Sequence, residues 1–242
     1  MEAEKVKALI FAGGAGRRMN SRSKPKQFLD VYGKPVIIHT LEHFEYHPEV
    51  DDIYVVCLKN WIDELRGMLK RFSIRKVRLI VTGGRTGHES IFEGLKAMRE
   101  ETAEGDIVLI HDGVRPLINE ELISQNIASV RKHGTAITCE PARESVVRSI
   151  DGRNIESVPV REEMYIAKAP QSFRFGVIFK AYEQAAGECV LTVDSAHLCS
   201  LYGIRMHMLM STKDNLKITE PADYYIYRAL YEALEAQQLY GL

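Results

Sequence analysis

Glycines and cationic side chains crowd together near the start of the chain, in Ala12-Gly13-Gly14-Ala15-Gly16-Arg17-Arg18-Met19 and then Lys24-Pro25-Lys26-Gln27. Glycines behind an apolar run let the backbone approach a phosphate and aim N–H groups at it. Arginine and lysine just downstream place fixed charge where such phosphates would lie. A dinucleotide site would read G-x-G-x-x-G with an acid after the second strand. Here Gly14 and Gly16 lead into Arg17-Arg18-Met19, and Leu58-Lys59-Asn60 holds no acid. The P-loop pattern G-x-x-x-x-G-K-[ST] is absent. A tight turn with solvated arginines is the other reading of such a loop, against which Arg18 and Pro25-Lys26 weigh.

Two more polar clusters follow apolar runs. Gly83, Gly84 and Ser90 open a predicted helix, a natural place for backbone groups to read a nucleobase and ribose. In His111-Asp112-Gly113-Val114-Arg115-Pro116, Asp112 offers hard carboxylate oxygen suited to Mg²⁺, with a turn or capping role as the alternative. Gly113 suits close backbone approach, and Arg115 suits an anionic group. His111 reads as a structural histidine hydrogen-bonded near the site rather than as a catalytic base.

The rest of the composition narrows the class. The chain has 242 residues, 45% hydrophobic and 27% charged, with a net charge of −1. That balance gives no overall basic field for nucleic acid or a membrane surface. No stretch approaches the roughly 20 apolar residues of a spanning helix. Cys57, Cys139, Cys189 and Cys199 have neither zinc nor disulfide-scaffold spacing, and read as reduced, mostly buried thiols of a cytoplasmic protein.

The elements that must position these clusters alternate. Strands are predicted at Val6 to Phe11, Ile53 to Leu58, Val77 to Val81 and Ile107 to Ile110. Helices are predicted from Pro35, with Ile37, Leu41, Phe44 and Glu45 inward, and at Trp61 to Phe72, Glu89 to Arg99 and Glu120 to Lys132. Such spacing implies right-handed crossovers and a mostly parallel sheet flanked by helices, a Rossmann-like α/β fold. Ligands then bind beyond the carboxyl ends of the strands, where the three clusters fall. From Thr135 the pattern changes. Ala136 to Glu140, Val146 to Ile150 and Ile155 to Val160 are short extended runs, with Asp151-Gly152 as a turn. This predicts a β-hairpin arm over about 135–168, protruding from a single domain of residues 1–242. A helix from Pro221 to about Ala236 closes the chain.

The series A-G-G-x-G-x-R-M…P-K-Q-F resembles the opening of sugar-phosphate nucleotidyltransferases, in particular the cytidylyltransferases acting on methylerythritol 4-phosphate and ribitol 5-phosphate. The resemblance runs nearly end to end. It continues through Gly83-Gly84…Ser90, His111 to Pro116, Ser157-Val158-Pro159-Val160-Arg161, Ala169-Pro170-Gln171-Ser172-Phe173 and Asn215-Leu216-Lys217-Ile218-Thr219, in the family's order. It implies attack of a polyol phosphate on the α-phosphorus of CTP, with Mg²⁺ as cofactor and pyrophosphate leaving.

In that scheme Arg18 and Lys26 stabilise charge on the α-phosphate and pyrophosphate, with Lys24 as a possible helper, and Lys217 lies against phosphate. The backbone of Ala12, Gly13, Gly14, Ala15 and Gly16, with Gly83, Gly84 and Ser90, binds the nucleotide. Arg161 orients the acceptor phosphate, and Arg115, Ser145 and Thr192 face the acceptor. Asp112 holds the metal, with Asp194 as a second candidate. The resemblance also implies a homodimer in which the arm reaches into the partner subunit.

The chain departs from the family pattern at Gly87, usually arginine, and at Glu144-Ser145, usually Asp-Thr. It departs again at Ala169, usually threonine, and at Val193, usually acidic. Gly33 to Thr40, Trp61 and Val158 to Tyr165 look more like the ribitol phosphate branch. Methylerythritol 4-phosphate and another polyol phosphate are the alternative acceptors, and a non-catalytic nucleotide-binding protein on the same fold is the alternative class. Retention of Arg18, Lys26, Asp112, Arg161 and Lys217 argues for the enzyme.

Overall fold

The computed structural model describes residues 3–14, 24–212 and 214–240. Strand β1 (Val6–Ala12) is followed by a small hairpin, β2 (Asp30–Val31) and β3 (Lys34–Pro35), and helix α1 (Val36–Glu45). Then β4 (Asp52–Cys57), α2 (Ile62–Arg71), β5 (Val77–Thr82), α3 (Gly87–Met98), β6 (Ile107–Asp112) and α4 (Glu120–His133) alternate. The remainder is β7 (Thr135–Pro141), β8 (Tyr165–Arg174), α5 (Phe175–Gly187), α6 (Ser195–Leu201), β9 (Met208–Met210) and α7 (Pro221–Tyr240).

The main sheet has the order β5-β4-β1-β6-β8-β7-β9, and the β2–β3 hairpin stands apart from it. β1 pairs in parallel with both β4 and β6, so it is buried on two faces, as its run of Val, Ala, Leu and Ile demands. Its side chains alternate between two cores. Ala8, Ile10 and Ala12 join Leu41 and Phe44 of α1, Leu65 of α2 and Ile127 of α4 on one face. Leu9 joins Leu95 of α3 and Ile178 and Tyr182 of α5 on the other. A third cluster seats Tyr227 of α7 against Val31, Val114 and Ile218.

The predicted alternation holds through α4, with small shifts at the ends. Glu45 is only half-buried, and its carboxylate accepts the Lys76 N–H at 2.8 Å. α3 starts two residues before Glu89 because Thr86 and Glu89 form a reciprocal capping box. α4 is capped by the Asn119 side chain and ends at Gly134, whose φ of +82° suits the left-handed closure.

The carboxyl-terminal half differs more. β8 runs antiparallel to both neighbours, β6 and β7. Pro170 lies inside it, and a proline normally argues against an inner strand because it cannot donate to the ladder. The pairing with β7 skips the proline: Ile137 pairs with Gln171 and Cys139 with Ala167, so β8 carries two extra residues there. β7, expected as the first strand of the arm, belongs to the main sheet, and β8 takes residues 165–168. What leaves the sheet is 142–164. Val146 to Ile150 and Ile155 to Val160 form no strands, and a single antiparallel bridge joins Arg148 and Ser157. The Asp151 carboxylate explains this, because it accepts the backbone N–H groups of Arg153 and Asn154 and closes a turn without a ladder. Cys57, Cys139 and Cys199 are buried and Cys189 is exposed, all free thiols. Among the described residues no helix is long and apolar enough to cross a membrane.

Candidate active site

The carboxyl ends of β1, β5 and β6 open onto two clefts. The larger, of about 580 Å³, runs from Gly13 and Gly14 past Lys26 to Gly84, Thr86 and Ser90. The smaller, of about 250 Å³, lies between β6, β8 and the start of α6. Phe11, Gly87, Asp112 and Lys217 line both, so the two spaces meet at these residues.

Glycine is required in the walls of the larger cleft by contact. A Cβ on Gly83 would stand 2.9 Å from the Ser90 hydroxyl and 3.2 Å from Gly13 Cα, and one on Gly84 would stand 2.3 Å from Glu89 Cβ. The Ser90 hydroxyl donates to the Thr86 carbonyl at 2.8 Å, tying the loop to the first turn of α3. Gln27 fixes the other side. Its buried side-chain amide donates to the carbonyls of Ala12 at 2.6 Å and Gly14 at 3.2 Å. Lys26 donates to the Ile218 carbonyl at 2.8 Å, which draws the start of the chain to the segment after β9. Gly84→Ala is therefore expected to displace this loop at a cost of about 1–3 kcal/mol, weakening nucleotide binding roughly 5- to 150-fold. Calorimetric titration would show it, and unchanged affinity would mean the loop yields without effect on the nucleotide.

Asp112 ends β6 and is almost completely buried. Its Oδ1 faces Lys217 Nζ at 2.5 Å and its Oδ2 accepts from Arg115 Nε at 2.8 Å. Burial alone would raise this carboxyl, but Lys217 and Arg115 outweigh it and hold the group well below the ordinary aspartate range. Arg115 is also buried, and its Nη1 donates to the Asn215 carbonyl at 3.0 Å. Lys217 extends over the Phe11 ring, 5.9 Å from its centroid. Asp112, Arg115 and Lys217 thus form one unit of net charge +1 at the junction of the clefts.

His111 is fully buried and bonds the Arg115 carbonyl through Nε2 at 3.2 Å. Burial pushes its imidazole down to about 3, so it stays neutral and structural, as expected. Asp194 caps α6, accepting the His197 N–H at 2.8 Å and the Gln171 side-chain amide at 3.0 Å, and its residue lines the smaller cleft. Thr192 is buried behind it, donating to the Asp194 carbonyl and meeting His88 Nδ1, and lines neither cleft.

Ala12, Gly13, Gly14, Gly84, Ser90, Lys26, Asp112 and Lys217 are thus gathered around the larger cleft, Gly83 packs behind them against Gly13 and Ser90, and Arg115 and Asp194 line the smaller one. Ala15, Gly16 and Arg18 lie outside the described residues. Ser145 and Arg161 are exposed on the arm, Arg161 with its guanidinium 3.0 Å from Glu162, and neither lines a cleft of this chain. Sequence reasoning missed Gln27, Asn215 and Lys168. The Lys24-Pro25-Lys26-Gln27 run already held one of them, whereas Lys168 stood in no recognisable motif.

This sheet, with phosphate-handling loops at its carboxyl edge and a buried aspartate between two cations, is the architecture of an α/β nucleotidyltransferase. A crystal structure of 4-diphosphocytidyl-2C-methyl-D-erythritol synthase from Anaerococcus prevotii superposes with a TM-score of 0.82 at 28% identity, over 95% of this chain and 96% of that one. Residues 6–232 match the family model IspD, 2-C-methyl-D-erythritol 4-phosphate cytidylyltransferase. A ribitol-5-phosphate cytidylyltransferase of Vibrio parahaemolyticus is 46% identical over 97% of this chain and 99% of its own length. A 2-C-methyl-D-erythritol 4-phosphate cytidylyltransferase of Geotalea uraniireducens is 35% identical over 97% of this chain and all of its own length. The chain belongs to the IspD family and is a cytidylyltransferase.

Proposed function

We propose that the enzyme transfers CMP from CTP to ribitol 5-phosphate in a Mg²⁺-dependent reaction, releasing CDP-ribitol and pyrophosphate. The observation that carries this reading is the meeting of two clefts at Asp112 and Lys217. One cleft is walled by glycine backbone and suits a nucleotide; the other is smaller, with apolar walls carrying the cations Arg115, Lys168 and Lys217, and suits a phosphorylated polyol. The acceptor phosphate is ionised at neutral pH, so no strong base is needed, and the chain's task is to bring two anions together in line. Lys26 and Lys217 offset charge on the transferring group, and Arg115 fixes Asp112. Ribitol 5-phosphate is favoured over methylerythritol 4-phosphate by the higher identity to a relative named for it, 46% against 40%.

Mg²⁺ habitually binds through one or two carboxylates together with substrate phosphates. Asp112 fits that habit, with Asp194 on the neighbouring wall, and no cluster of three or more metal-ligating side chains exists among the described residues. Bound there, the ion would supply charge neutralisation on phosphate oxygens.

The active form in this reading is a cytoplasmic homodimer. Exposed apolar residues on the arm support it: Val147, Ile150, Ile155, Val158 and Val160 are 51–76% exposed, far more than an isolated surface would favour. A partner's arm would bring Ser145 and Arg161 to the acceptor. The test is pyrophosphate release from each NTP with each of the two acceptors. CTP with ribitol 5-phosphate should turn over; turnover with methylerythritol 4-phosphate alone would reject the acceptor, and none with CTP would reject the reading. Arg161→Ala should raise the acceptor KM about 10- to 100-fold, the value of a charged hydrogen bond, and leave the CTP KM alone. Mixed with a Lys217 variant it should recover part of the activity, because in a mixed dimer one site receives both the intact Arg161 and the intact Lys217 and the other receives neither.

A further inference from the structure

Three of the positions where the chain departs from its family's pattern, Gly87, Ala169 and Val193, line the same 250 Å³ cleft. Each substitutes a small or apolar residue for a polar one. On that wall, next to Ala169, stands Lys168, which the cleft also exposes. Its side chain is only 14% exposed and is held at both sides, by an ion pair with Glu140 at the end of β7 and by donation to the Asn215 carbonyl at 3.3 Å. That same carbonyl accepts from Arg115 Nη1, so Lys168 and the Asp112 unit are linked through one backbone oxygen. Glu140 is in turn bound by Arg143 at 2.7 Å, at the base of the arm.

Resting on the acceptor cleft assigned above, we propose that Lys168, oriented by Glu140, contacts the polyol chain of the acceptor and determines acceptor specificity. The chemistry favours hydroxyl over phosphate. A lysine already paired with a carboxylate has little net charge for a dianion, which the Asp112–Arg115–Lys217 unit serves better. An ammonium group has three N–H donors, and with Glu140 and the Asn215 carbonyl taking two, the third can go to a hydroxyl oxygen in the cleft. A site built to bond a hydroxyl rejects analogues lacking it more strongly than an apolar wall can.

Lys168→Met tests this in the full-length enzyme. The substitution leaves Glu140 paired with Arg143, so it orphans no buried charge. On whichever polyol phosphate the wild type turns over, the acceptor KM should rise about 10- to 100-fold with the CTP KM and thermal midpoint unchanged. Lys168→Arg should recover most of the loss, since it restores a cationic donor. Glu140→Gln, which releases the lysine, should shift the acceptor KM in the same direction. An acceptor KM within about twofold of wild type, or an equal rise in both KM values, would overturn the role of Lys168. An inactive wild type on ribitol 5-phosphate that is active on another polyol phosphate would instead correct the acceptor, and leave the lysine to be judged on that substrate.

Discussion

Lys217→Met is expected to lower kcat/KM about 100- to 1000-fold, the scale of losing one preorganised charge at a phosphoryl-type transition state. Among the described residues Lys217 is the one cation that lines both clefts, with Nζ against Asp112 and over the Phe11 ring. The effect should fall on kcat more than on either KM, because charge builds on the transferring group only as bonds change. Stability should barely move. The side chain is 38% exposed, so water already screens its ion pair, and Asp112 keeps Arg115 as a partner. Steady-state pyrophosphate release beside a thermal melt reads both quantities. A loss smaller than about tenfold would place the charge that matters elsewhere.

Asp112→Ala should be inactive and also destabilised by about 3–5 kcal/mol, because removing the carboxylate strands the buried Arg115 guanidinium. Arg115, itself buried, would keep the Asn215 carbonyl but lose its carboxylate. Denaturant unfolding measures the difference; a midpoint unchanged from wild type would mean that the site relaxes or admits water. The pH dependence has a definite sign. The folded carboxyl lies below its ordinary value of 3.8, so its contribution is present above pH 3.8 and is lost as acid carries the pH down through the folded value. Asp112→Asn should remove that part of the acid sensitivity, leaving a shallower stability loss in the same range.

Much of this was legible in the chain itself. Hydrophobic runs in β1, β4 and β6 had to be inner parallel strands, since no alternation spared a face for water. The glycine loop could be recognised because contact geometry admits little else at Gly83 and Gly84, and because local sequence carries both the turn and its charges. Asp112 and Lys217 were nameable as candidates, but 105 positions in sequence separate groups that end 2.5 Å apart. Their pairing depends on β6 and on the segment after β9 arriving at one sheet edge.

Where sequence reading went astray, local preference had been overruled by partners far along the chain. β8 hides a proline at the point where its ladder with β7 skips residues 168–170. The arm runs Val146 to Ile150 and Ile155 to Val160 alternate like strands, yet they lack a ladder within one chain. Lys168 belongs to no motif, and its significance arises from Glu140 on the neighbouring strand and the Asn215 carbonyl 47 positions on. Residue types and short spacings determined the sheet and singled out the glycine loop, and the kind of reaction was legible only through the resemblance of the whole motif series to a family. Tertiary structure decided which charges neutralise one another and which line the two clefts, because electrostatic energy depends on distance and burial, and neither is a property of position in the chain.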